Sequence, residues 1–266
     1  MVTKTSVRII PASRRASVDS AVAPKSDNIA HLRTMCATCN LRELCLPCCG
    51  LTRSQLDAAK RLVFNRSRVR RGASLYRAGD RFTSLYAVRD GFFKSTVLLE
   101  DGRRDQVTGF AMTGEVLGMD GIGLERHTCN AIALENSDVC AIPFAGLQQL
   151  AHEIPSLQQQ FRRMMSREIV REQGLMLLLG SMNAEERLAM FLLNLSLRFA
   201  AHDCSPSEFN IRMTRDEIGS YLGVNLETVS RIFSKFQQEG LVGVRRKLIR
   251  IIDSAGLERV MGRGLD

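Results

Sequence analysis

"MTRDEIGSYLGVNLETVSRIFSKFQQEGLV", Met213 to Val242, decides how the chain is read. Thr214 is a side chain that starts helices, and Gly223, free to take the left-handed backbone of a helix end, closes the short helix between them. Asn225 caps a second helix that runs to Gly240. "LVGVRRKLIRII", Leu241 to Ile252, follows as a basic strand pair. Helix, tight glycine turn, helix and β wing in that order make a winged helix-turn-helix.

On the second helix, Ile232 and Phe236 fall four residues apart and face a core together with Val229. Glu227, Ser230, Arg231 and Ser234 occupy other faces, near or beyond the N-terminal turn that enters a major groove in this arrangement. Their chemistry suits base edges: Arg231 can hold guanine O6 and N7 together, Glu227 can accept from cytosine N4, and Ser230 can serve either role. Thr214, Arg215, Lys235, Arg245, Arg246 and Lys247 are candidates for phosphate contacts that position without specifying.

Net charge adds little to this case. Of the formal +9, the excess sits in residues 1–80, with 15 basic against 5 acidic side chains, while residues 207–266 carry 10 against 8.

Upstream of the motif, "AEERLAMFLLNLSLRFAA" from Ala184 is an amphipathic helix, followed by a polar loop at Cys204-Ser205-Pro206. Before it, from Pro155, apolar residues recur at helical spacing through Asn183. Met165, Ile169, Glu172, Met176 and Leu179 follow the alternating steps of four and three that form a coiled-coil seam. Phe161, Met164, Leu175 and Leu178 form a second stripe suited to packing on the domain before it. A lone carboxylate such as Glu172 is costly inside a monomer core, so the helix reads as a dimerisation element.

Residues 62–147 alternate and are broken by "AGD", "RDG", "EDG" and "TGE", the pattern of short strands and turns, with a tight hairpin expected at Asp101-Gly102. Pro143 ends that pattern. The fold class is therefore α+β. A basic, serine-rich tail at 1–30 is expected to be disordered, followed by a cysteine-rich segment and β-rich domain (31–152), the long helix (153–182) and the winged helix-turn-helix (183–266). No apolar run approaches the length of a membrane span and the opening has no secretory h-region, so a cytoplasmic protein is expected. No nucleophile elbow, P-loop or zinc-protease helix is present, so an enzyme is not expected.

Five of the eight cysteines fall in "CATCNLRELCLPCC", Cys36 to Cys49. Soft thiolates in a cytoplasmic chain select iron-sulfur clusters or zinc in preference to disulfides. Zinc could be held by Cys36, Cys39, Cys45 and Cys48 alone, although the gap of five is shorter than in common zinc modules. Cys129 and Cys204 read as structural, and the four histidines show no ligand spacing.

A β-roll, a long dimer helix and a winged helix-turn-helix, with "MTRDEIGSYLGVNLETVSRIFSKFQQEGLV" closest of all, resemble the CRP/FNR superfamily of bacterial transcription regulators. In that resemblance, "GEVLGMDGIGLERHTCNAIALENSDVCAIPF" covers the segment where cyclic-nucleotide binders carry a glutamate and an Arg-Ser or Arg-Thr pair. Met119 and His127-Thr128 stand there instead. Without the arginine a cyclic phosphate lacks a strong charge-assisted partner, so no cyclic nucleotide is expected.

Cys36, Cys39 and Cys45 with Cys140 resemble the FNR branch, whose members hold an oxygen-labile 4Fe-4S cluster on four such thiolates. The resemblance implies a homodimer on double-stranded DNA at a TTGAT-N4-ATCAA-like inverted repeat. It also implies contact with RNA polymerase through loops near Gly102 and Ala78 to Asp80, and control of genes for the switch between aerobic and low-oxygen metabolism. The alternative is a regulator of the same fold whose cysteines bind structural zinc or sense thiol oxidation.

Overall fold

The computed structural model describes residues 65–99, 105–202 and 204–262. The tail at 1–30, the segment with Cys36, Cys39, Cys45, Cys48 and Cys49, and the Asp101-Gly102 turn lie outside the described residues. The chain divides into two compact units after Arg163.

In the first unit, alternation along the strands builds two four-stranded antiparallel sheets. One has the order β1 (Asn65–Val69), β8 (Ser137–Pro143), β3 (Ser84–Asp90), β6 (Val116–Leu117). The other has the order β2 (Ser74–Tyr76), β7 (Asn130–Ala133), β4 (Phe92–Leu98), β5 (Asp105–Met112). Val88 and Val139 from the first sheet and Phe93, Ala111, Ala131 and Ala133 from the second join one buried cluster. The interior between the two sheets is thus the core of a β-roll. Burying each large apolar side chain there contributes about 1.5–3 kcal/mol. The described pairing of β4 with β5 runs from Phe92↔Met112 to Leu98↔Asp105.

Two helices follow. α1 (Phe144–Glu153) was not expected from the sequence, and Leu147 and Leu150 are its buried side chains. α2 (Pro155–Ser181) is the long helix expected from the apolar spacing, and it begins on a proline, whose missing N–H costs nothing at a first helical position. Phe161 packs on Phe144 of α1, with ring centroids 6.0 Å apart, so this member of the second stripe meets a helix.

The second unit starts within α2. α3 (Ala184–Ala200) opens with a reciprocal cap: Asn183 Oδ1 accepts from the Glu186 N–H at 3.1 Å, and Glu186 Oε2 accepts from the Asn183 N–H at 2.8 Å. Leu188, Ala189, Leu192 and Leu195 on its inner face are fully buried. Then come β9 (Glu208–Asn210), α4 (Arg215–Leu222), α5 (Leu226–Gln238), β10 (Val242–Arg245), β11 (Leu248–Ile251) and α6 (Ser254–Gly262). The three strands form one antiparallel sheet in the order β10-β11-β9, so the polar stretch after α3 contributes a strand to the wing. No helix among the described residues is long and apolar enough to cross a membrane.

Candidate nucleic-acid interface and sensor region

α4 and α5 are set by local chemistry. Thr214 Oγ1 accepts from the Glu217 N–H at 3.1 Å and Glu217 Oε2 accepts from the Thr214 N–H at 2.7 Å, so each end of the box satisfies a donor that the first turn leaves open. Gly223 takes the left-handed backbone (φ 67°) that closes α4, and Asn225 Oδ1 accepts from the Thr228 N–H at 2.8 Å to start α5. Between them the chain turns so tightly that a Cβ on Gly219 would lie 2.6 Å from the Val224 carbonyl oxygen. Only glycine fits there.

Val229, Ile232 and Phe236 are buried as their spacing implied, and Phe233 is buried with them. That burial leaves Glu227, Arg231 and Ser234 exposed and Ser230 half-buried. Leu226, in the first turn and 43% exposed, was not singled out from the sequence. An apolar side chain at a helix start can meet a thymine methyl. The wing adds Arg245, Arg246 and Lys247, all exposed, with Arg246 at φ 58° in the β10–β11 turn.

Two expected phosphate contacts are engaged within the unit. Lys235 Nζ donates to both carboxylate oxygens of Glu185 at 2.7 and 2.6 Å, tying α5 to α3. The Arg215 guanidinium lies 3.4 Å above the centre of the Phe233 ring, and burial pulls it down to about 10, still charged at neutral pH. Arg215 therefore braces α4 against α5 by a cation–π contact. A third cation, Arg187, was not noticed in the sequence. Its Nε donates to the Met182 carbonyl at 2.8 Å, Nη2 to the Leu179 carbonyl at 2.9 Å and Nη1 to the Leu222 carbonyl at 2.9 Å.

The seam residues lie on α2 with Met165 half-buried and Glu172 exposed. Ile169 is 56% and Met176 73% exposed, Leu179 of the same stripe is exposed too, and Val170 and Leu177 are exposed elsewhere around α2.

In the β-roll, β8 carries Cys140, half-buried, next to the fully buried Val139. β1 runs beside it, with Arg66 opposite Cys140, and the strand pair is fastened where Arg66 Nη2 donates to Asp138 Oδ2 at 2.9 Å. β1, the first described strand after the cysteine-rich segment, is therefore one of the two strands beside Cys140, the other being β3. His127 stands 1% exposed, stacked on Tyr76 with ring centroids 3.7 Å apart, and its Nδ1 lies 3.3 Å from Asp120 Oδ1. Cys129 is buried, and burial followed by the Asp120 charge pushes its thiol up to about 12. It stays protonated at neutral pH, as a structural cysteine should. Cys204 is exposed.

Comparison with known proteins agrees with this geometry. Residues 186–260 match the Crp-like helix-turn-helix domain, and residues 66–153 match the cyclic nucleotide-binding domain. The chain is 44% identical to the transcriptional regulatory protein btr of Bordetella pertussis, over 90% of this chain and 97% of that protein. It is 43% identical to the transcriptional activator protein FnrA of Stutzerimonas stutzeri, over 89% and 96%. The chain belongs to the CRP/FNR family, as an FNR-type regulator.

The regulator is also 43% identical to the fumarate and nitrate reduction regulatory protein of Escherichia coli, over 85% of this chain and 90% of that protein. Among solved structures it resembles FixK2 from Bradyrhizobium japonicum, with a TM-score of 0.69 and 28% identity over 75% of this chain and 98% of that one. The expected α+β fold, with a β-roll and a C-terminal helix-turn-helix, is thereby established, and the regulator is a DNA-binding protein rather than an enzyme.

Proposed function

We propose that the regulator binds an inverted-repeat operator as a homodimer when a 4Fe-4S cluster on Cys36, Cys39, Cys45 and Cys140 is intact, and so controls genes for the switch between aerobic and low-oxygen metabolism. The observation that carries this reading is the placement of β1, the first described strand after the cysteine-rich segment, directly against Cys140 on β8. Similarity to a protein named for fumarate and nitrate reduction supports it. The donor set fits: four thiolates are the ligand complement of such a cluster.

The bound cluster supplies oxygen sensitivity. The chain's own residues carry that state onward, because β8 runs directly into α1 and α1 leads through Ile154 into α2. Exposed Ile169 and Met176 offer apolar area to the same face of a second copy. In a parallel pair Glu172 meets its mate, and two carboxylates about 4 Å apart in water oppose pairing by about 1 kcal/mol. A change of about 1.4 kcal/mol moves a dimer equilibrium tenfold, so the seam is poised rather than tight.

Dimerisation sets the operator. Two copies of α5 reach half-sites about one helical turn, roughly 34 Å, apart, and the resemblance to the FNR branch implies that they form a TTGAT-N4-ATCAA-like repeat, read by Glu227, Ser230 and Arg231. RNA polymerase is contacted through the β-roll loops, among them the turn at Ala78 to Asp80, where the Asp80 N–H donates to the Arg77 carbonyl at 3.0 Å.

Anaerobic purification tests the cofactor. Brown protein containing iron and acid-labile sulfide in equal amounts, bleaching in air and lost in Cys140→Ser but not Cys48→Ser, is the expected result. Colourless protein holding zinc on the N-terminal cysteines overturns it. Glu172→Ala should dimerise and bind DNA in air; a variant that sediments as a monomer in air while the wild type dimerises anaerobically rejects the seam.

A further inference from the structure

The β-roll contains a half-buried polar cluster that DNA reading and thiolate ligation do not use. At its centre is Asp120, in the 3-10 turn Met119–Gly121, with its side chain 19% exposed. Its Oδ2 accepts from the Thr128 N–H at 2.7 Å, the Cys129 N–H at 3.4 Å, the Thr128 hydroxyl at 3.4 Å and the Cys129 thiol at 3.5 Å. Its Oδ1 accepts from the Tyr76 hydroxyl at 3.4 Å and faces His127 Nδ1 at 3.3 Å. The donors come from β2 and from the stretch leading into β7, so the fold assembles them around this one carboxylate.

Two consecutive backbone N–H groups beside a hydroxyl and an imidazole are the equipment of an oxoanion site. This one lies in the stretch that matches the cyclic nucleotide-binding domain. We infer that Asp120 is an internal ligand, a carboxylate of the chain that fills the anion cradle of the β-roll and closes it to external phosphate.

Charge and donor count give the same result. A phosphate arriving at the cradle meets a carboxylate of its own sign, and the N–H groups it needs are already donating. Burial by itself raises the Asp120 carboxyl, yet the His127 hydrogen bond, the Thr128 amide and the imidazole charge hold it below the usual carboxylate range. It remains an anion at any pH at which the regulator works. His127 packs between Tyr76 and Phe82, whose ring centroid is 5.6 Å away edge-on, so the cradle is walled by aromatic rings. The ligand class for the emptied cradle is a small carboxylate or oxoanion of the size of formate, acetate or inorganic phosphate.

The test is thermal unfolding of the full chain with Asp120→Ala, Asp120→Asn and wild type. Each is melted in rising formate or acetate, in chloride at matched ionic strength, and in cyclic AMP. Asp120→Ala should melt several degrees lower and recover most of that loss, saturably, in formate or acetate but not in chloride. Asp120→Asn, whose amide still fills the space, should not recover. Wild type should respond to none of the additives.

Absence of an anion-specific recovery in Asp120→Ala overturns the inference, as does a saturable shift of wild type by cyclic AMP. If Asp120→Ala does not fold, the Thr128 amide resonance of wild type decides. An inflection below the ordinary aspartate range, missing in Asp120→Asn, supports the internal ligand; an inflection within that range refutes it. Neither readout depends on what the cysteines bind.

Discussion

Replacing Arg187 by alanine removes one guanidinium and three hydrogen bonds from the junction of α2, α3 and α4. The Leu179 and Met182 carbonyls lie at the end of α2 and the Leu222 carbonyl at the end of α4, where carbonyls lack partners within their own helices. A cation there also opposes the negative ends of both helix dipoles. Hydrogen bonds to a charged group are worth about 1.5–3 kcal/mol each, and water replaces part of that at a half-buried site, which leaves a loss of about 2–4 kcal/mol for the three together. Native-state hydrogen exchange of the α4 amides reads this unit by itself. Their exchange should accelerate about 30- to 700-fold at tenfold per 1.4 kcal/mol. Arg187→Lys keeps the charge but not the planar fork and should fall between the two. Unchanged exchange in Arg187→Ala, or a lysine variant equal to wild type, refutes the view that a three-pronged fork joins these helices.

Arg231→Ala should cost about 1–3 kcal/mol of discrimination at one guanine, seen as relaxed preference there in a binding-site selection; an unchanged preference rejects the assignment. Gly219→Ala puts a methyl group 2.6 Å from the Val224 carbonyl, so the helix-turn-helix must open at its turn, and circular dichroism should show a lower melting temperature together with lost operator binding. Because the folded Asp120 carboxyl is depressed, the stability it supplies is complete above the unfolded value near pH 4 and disappears as pH falls through the lower folded value. Asp120→Asn should therefore flatten that part of the acid limb in melts at descending pH, and an acid limb identical to wild type counts against the carboxylate.

The DNA-binding end was legible because its signals are local. Thr214, Gly223 and Asn225 act within a few residues of where they stand, and the structure uses each as its chemistry implies. The long helix was legible for the same reason: helical spacing repeats over many turns of one element. α1 was hidden because Pro143, which ends the strand pattern, occupies its N-cap and offers no side-chain cap. β9 is three residues long, with only Phe209 buried, too short for alternation to register. Lys235 and Arg215 look like free cations in the sequence, and only the fold brings Glu185 and Phe233 to them. The Asp120 cluster was seen from one side only. His127 was noticed as the lack of an arginine, whereas the carboxylate it faces and the hydroxyl of Tyr76 reach it from other parts of the chain.

Cys129 gives the β-roll an internal clock. A thiol that is buried, hydrogen-bonded to Asp120 and held protonated reacts with an alkylating reagent only when the strands around it separate. Under native conditions its labelling rate therefore counts openings of the β-roll. Read at Cys129 itself by mass spectrometry, that count reports the motion of this unit alone, with no residue changed.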